Sequence, residues 1–122
     1  MNAFASLVGR ILLSIIFIMA GYGKISGYDG TVGYMEQFGI PGALLPAVIA
    51  LELGGGLLIL AGFMSRWTAL ALAGFTLVAA GVFHSNFGDQ MQTVMFMKNL
   101  AIAGGLVLLF ANGPGRYAIN DA

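Results

Sequence analysis

Four long apolar stretches, each carrying one ionisable residue, constrain this chain more than any other feature. The stretches run over about residues 4–22, 44–63, 67–87 and 94–112. Their ionisable residues are Arg10, Glu52, His84 and Lys98. About 20 apolar residues in a helix cross a hydrocarbon core of roughly 30 Å. The sequence therefore predicts an all-α integral membrane protein, a bundle of four transmembrane helices that forms one domain over residues 1–122.

The composition fits a membrane protein and excludes several functions. Hydrophobic residues make up 59% of the chain and charged residues 8%, whereas soluble domains carry about 25% charged residues. The net charge is zero and the five Lys and Arg residues are scattered, so no nucleic-acid-binding surface is expected. Without cysteine the chain itself supplies no thiol or disulfide, and no spacing typical of metal ligands occurs.

The first apolar stretch lacks the basic segment that precedes the core of a signal peptide, and Arg10 lies inside it. We therefore expect a retained first span. An even number of spans places both termini on one side of the membrane, together with Arg66 and Arg116. Because basic loop residues concentrate in the cytoplasm, we predict cytoplasmic termini.

The longest connection between spans covers residues 23–43. Within it Val32, Met35 and Phe38 are spaced three apart. This spacing is typical of a short amphipathic helix. We expect such a helix over residues 31–38, on the membrane surface.

An ionisable side chain within a span costs about 2.5–3.5 kcal/mol on insertion scales, so it normally faces a partner or a polar cavity. We predict that Glu52 lies between Arg10 and Lys98, whose long side chains can extend to reach it. Asn99, next to Lys98, is expected to complete this polar centre. The set is either a structural ion network that fixes helix register, or a site that binds a polar head or moves a proton.

Two further residues are expected at the outward mouth of this centre, Lys24 and His84. Lys24 follows the first predicted span directly, and His84 lies near the end of the third. His84 fits a proton relay or a quinone donor, and it also fits an interfacial histidine with ordinary hydration. Both interpretations stay open at the level of sequence.

A series of different short motifs follows in order along nearly the whole chain. They are Gly9 to Leu13, Phe17 with Ala20-Gly21 and Lys24, Gly39-Ile40-Pro41, Glu52 with Gly54 to Gly56, Leu60-Ala61-Gly62, Arg66, Phe83-His84 and Lys98-Asn99-Leu100. Together they resemble the DoxX family of small four-helix bacterial membrane proteins. The resemblance implies a multi-pass protein of the bacterial cytoplasmic (inner) membrane. Some relatives are linked to thiosulfate oxidation with quinone as acceptor, and others to complexes handling thiol and superoxide stress.

The favoured hypothesis is a redox-linked membrane subunit, an oxidoreductase component with quinone as its expected cofactor. In it Arg10, Lys98, Asn99 and Lys24 bind the ligand, while Glu52 and His84 act catalytically by relaying protons. One alternative is a non-enzymatic adaptor that docks proteins through the loop helix or the polar tail. Another is a carrier of a small anion or molecule. Expected partners are the lipid bilayer, a quinone or polar-headed lipid, and a second protein or further copies of this chain.

Overall fold

In the part of the chain that the structure describes, five helices follow one another, and helix accounts for 79% of the fold. The computed structural model describes residues 2–122. The helices are α1 (Ala3–Ser26), α2 (Tyr28–Gln37), α3 (Gly42–Ala61), α4 (Ser65–Phe83) and α5 (Gln90–Asn112). All except α2 are long and apolar enough to cross a membrane, and no strand occurs within residues 2–122. The predicted all-α fold with four spans is confirmed.

Local capping explains where two of the spans begin. Asn2 caps α1, because its side-chain oxygen accepts hydrogen bonds from the backbone N–H groups of Phe4 and Ala5. Asp89 caps α5 by accepting from Met91 N at 2.9 Å, so this helix starts earlier than the apolar pattern predicted. Such caps satisfy backbone donors that have no partner within the helix.

The predicted helix in the first connection is present as α2, which starts three residues earlier than predicted. Its Met35 is buried, and its Tyr34, together with Phe38 directly after the helix, contacts Phe83 at the end of α4. The Tyr34 and Phe83 rings lie nearly parallel, with centroids 5.3 Å apart. Aromatic contacts of this kind add to the energy of apolar burial, so α2 is held across one end of the bundle.

The second span, α3, changes its helical type along its length. A 3₁₀ turn at Gly42–Leu44 leads into an α-helical segment, Leu45–Ile49. A π-helical segment at Ala50–Gly54 follows, and regular α-helix resumes at Gly55–Ala61. Single π turns within α-helices are rare and frequently occur at functional sites. Glu52 lies in the middle of this π-helical segment.

Glycines let α1 and α3 approach closely within the π-helical segment and just after it. A Cβ on Gly21 would lie 2.8 Å from Leu53 Cβ, and one on Gly56 would lie 2.8 Å from Ile18 Cγ1. Small residues permit such approaches between membrane helices. The first half of α3 packs mainly on α1, whereas its contacts with α4 come chiefly from residues 55–61.

The two ends of the bundle differ in their packing. At the terminal end, which holds residues 2–10, 61–66 and 112–122, the core includes the fully buried Ile59, Leu72 and Leu106. At the loop end, which holds α2 and residues 84–89, the helix pairs α1–α3 and α4–α5 are farther apart and enclose a cavity. The polar tail folds against the α3–α4 turn, where Asn120 N donates to Gly62 O at 3.1 Å.

The close approach of α3 to α1 is directly testable. The Gly56→Ala variant should lose about 1–3 kcal/mol of stability, because its new methyl overlaps Ile18 and the Ser14 carbonyl oxygen. Gly54→Ala is the matched control, since nothing lies within 4 Å of its added Cβ. Thermal unfolding in mild detergent measures both. Equal melting temperatures for the two variants would contradict this packing.

Candidate functional site

A cavity of about 490 Å³ lies at the loop end of the bundle, and all five helices contribute to its walls. The walls are mostly apolar, and the polar side chains among them include Lys24, Tyr34, Glu52, Thr76, His84 and Asn99. Ligand sites in proteins typically measure about 300–1,000 Å³ and combine apolar walls with a few polar groups. The cavity therefore has the size and the character of a binding site for a small amphiphilic molecule.

An ion pair between a buried carboxylate and a partly buried lysine forms one polar wall of this cavity. Lys24 Nζ lies 2.7 Å from Glu52 Oε1, and the two side chains are 29% and 6% exposed respectively. Within residues 2–122 no other group donates to Glu52 Oε1, so Lys24 is what compensates this oxygen. A buried carboxylate needs such a partner because desolvation of an unpaired charge is costly.

The position of Lys24 follows from the length of α1. The sequence placed Lys24 in a loop, but α1 continues to Ser26. Lys24 is three residues after Gly21 and seven after Phe17. Because the helix continues through it, Lys24 lies on the same helix face as these two buried residues. This spacing was visible in the sequence, and extending the first helix by one turn would have predicted the pair with Glu52.

A second polar group faces the cavity from the α4–α5 side. Asn99 Nδ2 donates a hydrogen bond to the backbone oxygen of Thr76 at 3.3 Å. The amide retains its second N–H and its carbonyl oxygen, because no other hydrogen bond of Asn99 occurs in the described part of the chain. The buried hydroxyl of Thr76 also has no partner among residues 2–122. The cavity thus has hydrogen-bonding capacity on both of its facing helix pairs.

His84 occupies the loop end of the cavity, next to the aromatic contacts of α2. Its Nδ1 lies 2.9 Å from Gln92 Oε1, which joins the end of α4 to the first turns of α5. Tyr34 and Phe83 line the cavity on the same side. Tyr34 was not predictable as a cavity residue from the sequence, because the docking of α2 onto α4 depends on tertiary contacts.

Arg10 does not belong to this site, in contrast to the sequence prediction. It is 2% exposed at the terminal end. Its Nη1 donates to the carbonyl oxygens of Ile59 and Leu60 at 3.0 and 3.2 Å. Its Nη2 donates to Tyr117 O in the tail. The last carbonyls of a helix lack intrahelical partners and favour a cation, so Arg10 closes the end of α3.

Lys98 is also absent from the cavity walls, and its side chain is exposed. The rotation of α5 about its axis turns the neighbouring Asn99 and Ile102 towards the cavity instead. The predicted centre of Arg10, Glu52 and Lys98 is therefore wrong as a geometric grouping. The structure brings Lys24, Glu52, His84 and Asn99 to one cavity.

Sequence comparison gives the family of the chain. The DoxX family model matches residues 5–85, which include Lys24, Glu52 and His84. The chain belongs to the DoxX family. No solved structure matches it.

Three curated relatives of this DoxX protein are informative. The inner membrane protein YqjF of Escherichia coli (strain K12) is 60% identical over 114 residues, which cover 93% of this chain and 88% of YqjF. The inner membrane protein YphA of the same organism is 37% identical, covering 93% of this chain and 86% of YphA. "Putative oxidoreductase CatD" of Bacillus subtilis (strain 168) is 32% identical, covering 62% of this chain and 55% of CatD. With its four spans, the chain is a DoxX-type inner membrane protein.

Proposed function

We propose that this DoxX protein is a redox-linked membrane subunit that binds the head of a quinone in the loop-end cavity. The observation that carries the proposal is the partly buried Lys24–Glu52 pair inside a mostly apolar cavity of about 490 Å³. CatD, whose name carries an oxidoreductase assignment, lends support to the redox class.

The chemistry of the cavity suits a quinone head. Such a head has two apolar ring faces and two carbonyl oxygens on opposite edges. Lys24 offers a cationic donor on the α1–α3 pair, and Asn99 offers its remaining N–H on the α4–α5 pair. The apolar side chains between them, such as Phe75 and Val82, match the ring faces. The two donors suit recognition of both carbonyl oxygens.

Two residues of the cavity can carry protons. Reduction of a quinone to a quinol takes up two protons and two electrons, and in this proposal a reduced partner subunit supplies the electrons. Glu52 accepts or releases a proton beside Lys24, and His84 passes protons between the cavity and the loop end. The basic residues Arg66 and Arg116 favour cytoplasmic termini, which would place the cavity in the outer half of the membrane.

The adaptor hypothesis gains no support from the segments it would use. The loop helix α2 is packed on Phe83, and the tail is bound to the α3–α4 turn through Asn120 and Asp121. Both segments therefore already bind this chain. The cavity and its ion pair favour a ligand-binding function instead.

The proposal predicts a bound quinone in protein purified in mild detergent. We expect about one quinone per chain in an organic extract, measured by mass spectrometry. Asn99→Leu should lower this content about tenfold, because an apolar side chain of similar size removes one donor to the head. Lys98→Met is the matched control, since its exposed side chain does not line the cavity.

Two outcomes would count against quinone binding. One is an extract from wild-type protein that holds no quinone after purification from quinone-containing membranes. The other is an equal loss in Asn99→Leu and Lys98→Met. Co-purification of a stoichiometric protein without any small molecule would favour the adaptor hypothesis.

A further inference from the structure

The two middle spans separate towards the loop end. Close packing between α3 and α4 occurs around Gly55, where an added Cβ would lie 3.2 Å from Leu72 Cδ1 and 3.3 Å from Thr68 Cγ2. The residues of α3 before this point pack mainly on α1. The cavity therefore extends between α3 and α4 on the loop-end side of Gly55.

Two side chains on this boundary line the cavity and are also exposed on the outer surface. Leu44 of α3 is 50% exposed and Val78 of α4 is 66% exposed. Val48, one turn after Leu44, also lines the cavity and is half-buried. A side chain can have both properties only where the cavity reaches the surface. We call this opening the α3–α4 portal, formed by Leu44, Val48 and Val78.

The depth and composition of the portal place it against lipid. Val78 lies five residues before the last residue of α4, roughly 8 Å along the helix axis. The three side chains of the portal are aliphatic, and Phe75 and Val82 continue the apolar surface into the cavity. Along this route the first charged side chains are those of the Lys24–Glu52 pair, whose Glu52 lies one helical turn after Val48 on α3.

We infer that the cavity takes a ligand with a single long alkyl or isoprenoid tail, and that the tail leaves through the α3–α4 portal into the bilayer. This inference rests on the proposed binding of a quinone head. A head together with a long tail exceeds the volume of the cavity, so the tail must leave it. Exit into water would expose every methylene group, whereas exit through the portal keeps the tail in hydrocarbon. The ligand therefore arrives laterally from the membrane.

Filling the portal should discriminate between ligands by their tails. We would reconstitute wild-type and Val78→Trp protein into phospholipid nanodiscs and measure binding of decylubiquinone and of the tailless ubiquinone-0. Val78→Trp should weaken decylubiquinone binding at least about tenfold and leave ubiquinone-0 binding within about twofold. Leu77→Trp is the matched control, because Leu77 is exposed on α4 and does not line the cavity. It should change neither affinity.

Ile16→Trp tests the opposite side of the cleft. Ile16 of α1 also lines the cavity and is exposed, so a tail leaving between α1 and α5 would be blocked there. Loss of decylubiquinone binding in Ile16→Trp but not in Val78→Trp would overturn the assigned route. Unchanged decylubiquinone binding in a folded Val78→Trp variant would also overturn it.

A lipid probe without a quinone head tests the portal independently of the proposed function. Diazirine-labelled palmitate in the same nanodiscs should crosslink to residues 44–48 and 75–82 in wild-type protein and lose this labelling in Val78→Trp. If wild-type protein binds neither quinone but keeps this labelling pattern, the portal stands and the quinone head is wrong. Absence of labelling in the wild-type cavity walls would refute the portal.

Discussion

Replacement of Arg10 by Met should destabilise the bundle by on the order of 3 kcal/mol. The guanidinium makes three charge-assisted hydrogen bonds to carbonyl oxygens of Ile59, Leu60 and Tyr117. Bonds of this kind contribute about 1.5–3 kcal/mol each. Removing the buried charge relieves part of its desolvation cost, and this offsets some of the loss. Thermal unfolding in mild detergent provides the measurement.

Two control variants identify what Arg10 contributes. Arg116→Met removes an exposed cation at the same end of the bundle and should change stability by less than about 0.5 kcal/mol. Arg10→Lys keeps the charge but loses the planar fork that reaches several carbonyl oxygens at once, so it should remain clearly destabilised. Full stability of Arg10→Lys would mean that charge alone, without fork geometry, closes the end of α3.

Replacing Lys24 and replacing Glu52 should lower the stability of the protein by different amounts. Lys24→Met leaves a 6% exposed carboxylate without a cation and should cost about 2 kcal/mol. This is less than the roughly 3–5 kcal/mol typical of fully buried pairs, because Lys24 is partly exposed. Glu52→Gln frees Lys24, whose flexible chain can move its ammonium group to water, and should cost less than about 1 kcal/mol. Unfolding of both variants in the same detergent measures the difference.

The double variant Lys24→Met/Glu52→Gln closes the thermodynamic cycle. It should recover most of the stability lost in Lys24→Met, because no uncompensated charge remains in the protein interior. Strictly additive losses would indicate that the two side chains do not interact. Equal losses in the two single variants would indicate that Lys24 cannot reach water.

The elements of this fold were predictable because length and apolar composition determine membrane spans almost directly. The helix over part of residues 23–43 was also predictable from the spacing of Val32, Met35 and Phe38. The ends of the spans were harder to predict from the sequence. The start of α5 depends on the cap at Asp89, and the extension of α1 to Ser26 depends on packing. The additional turn at the end of α1 determines which cation pairs with Glu52.

The grouping of the charged residues was only partly predictable, and α5 explains why. A sequence gives the angle between two side chains on one helix but leaves the rotation of that helix about its axis undetermined. Lys98 and Asn99 are about 100° apart on α5, so only one of them can face the cavity. Packing against α4, including the hydrogen bond from Asn99 to Thr76 O, selects Asn99. The structure brings Glu52, Asn99 and His84 to the walls of one cavity.

The π-helical segment of α3 determines how the two halves of this span are rotated relative to each other. One extra residue in a turn rotates everything before it by about 100° relative to a continuous α-helix. Residues 55–61 must keep the face that Gly56 presents to α1. Deleting one residue from 50–54 would leave that face in place and swing Glu52 away from Lys24. The π-helical segment thus sets the direction in which Glu52 points separately from the direction in which residues 55–61 pack.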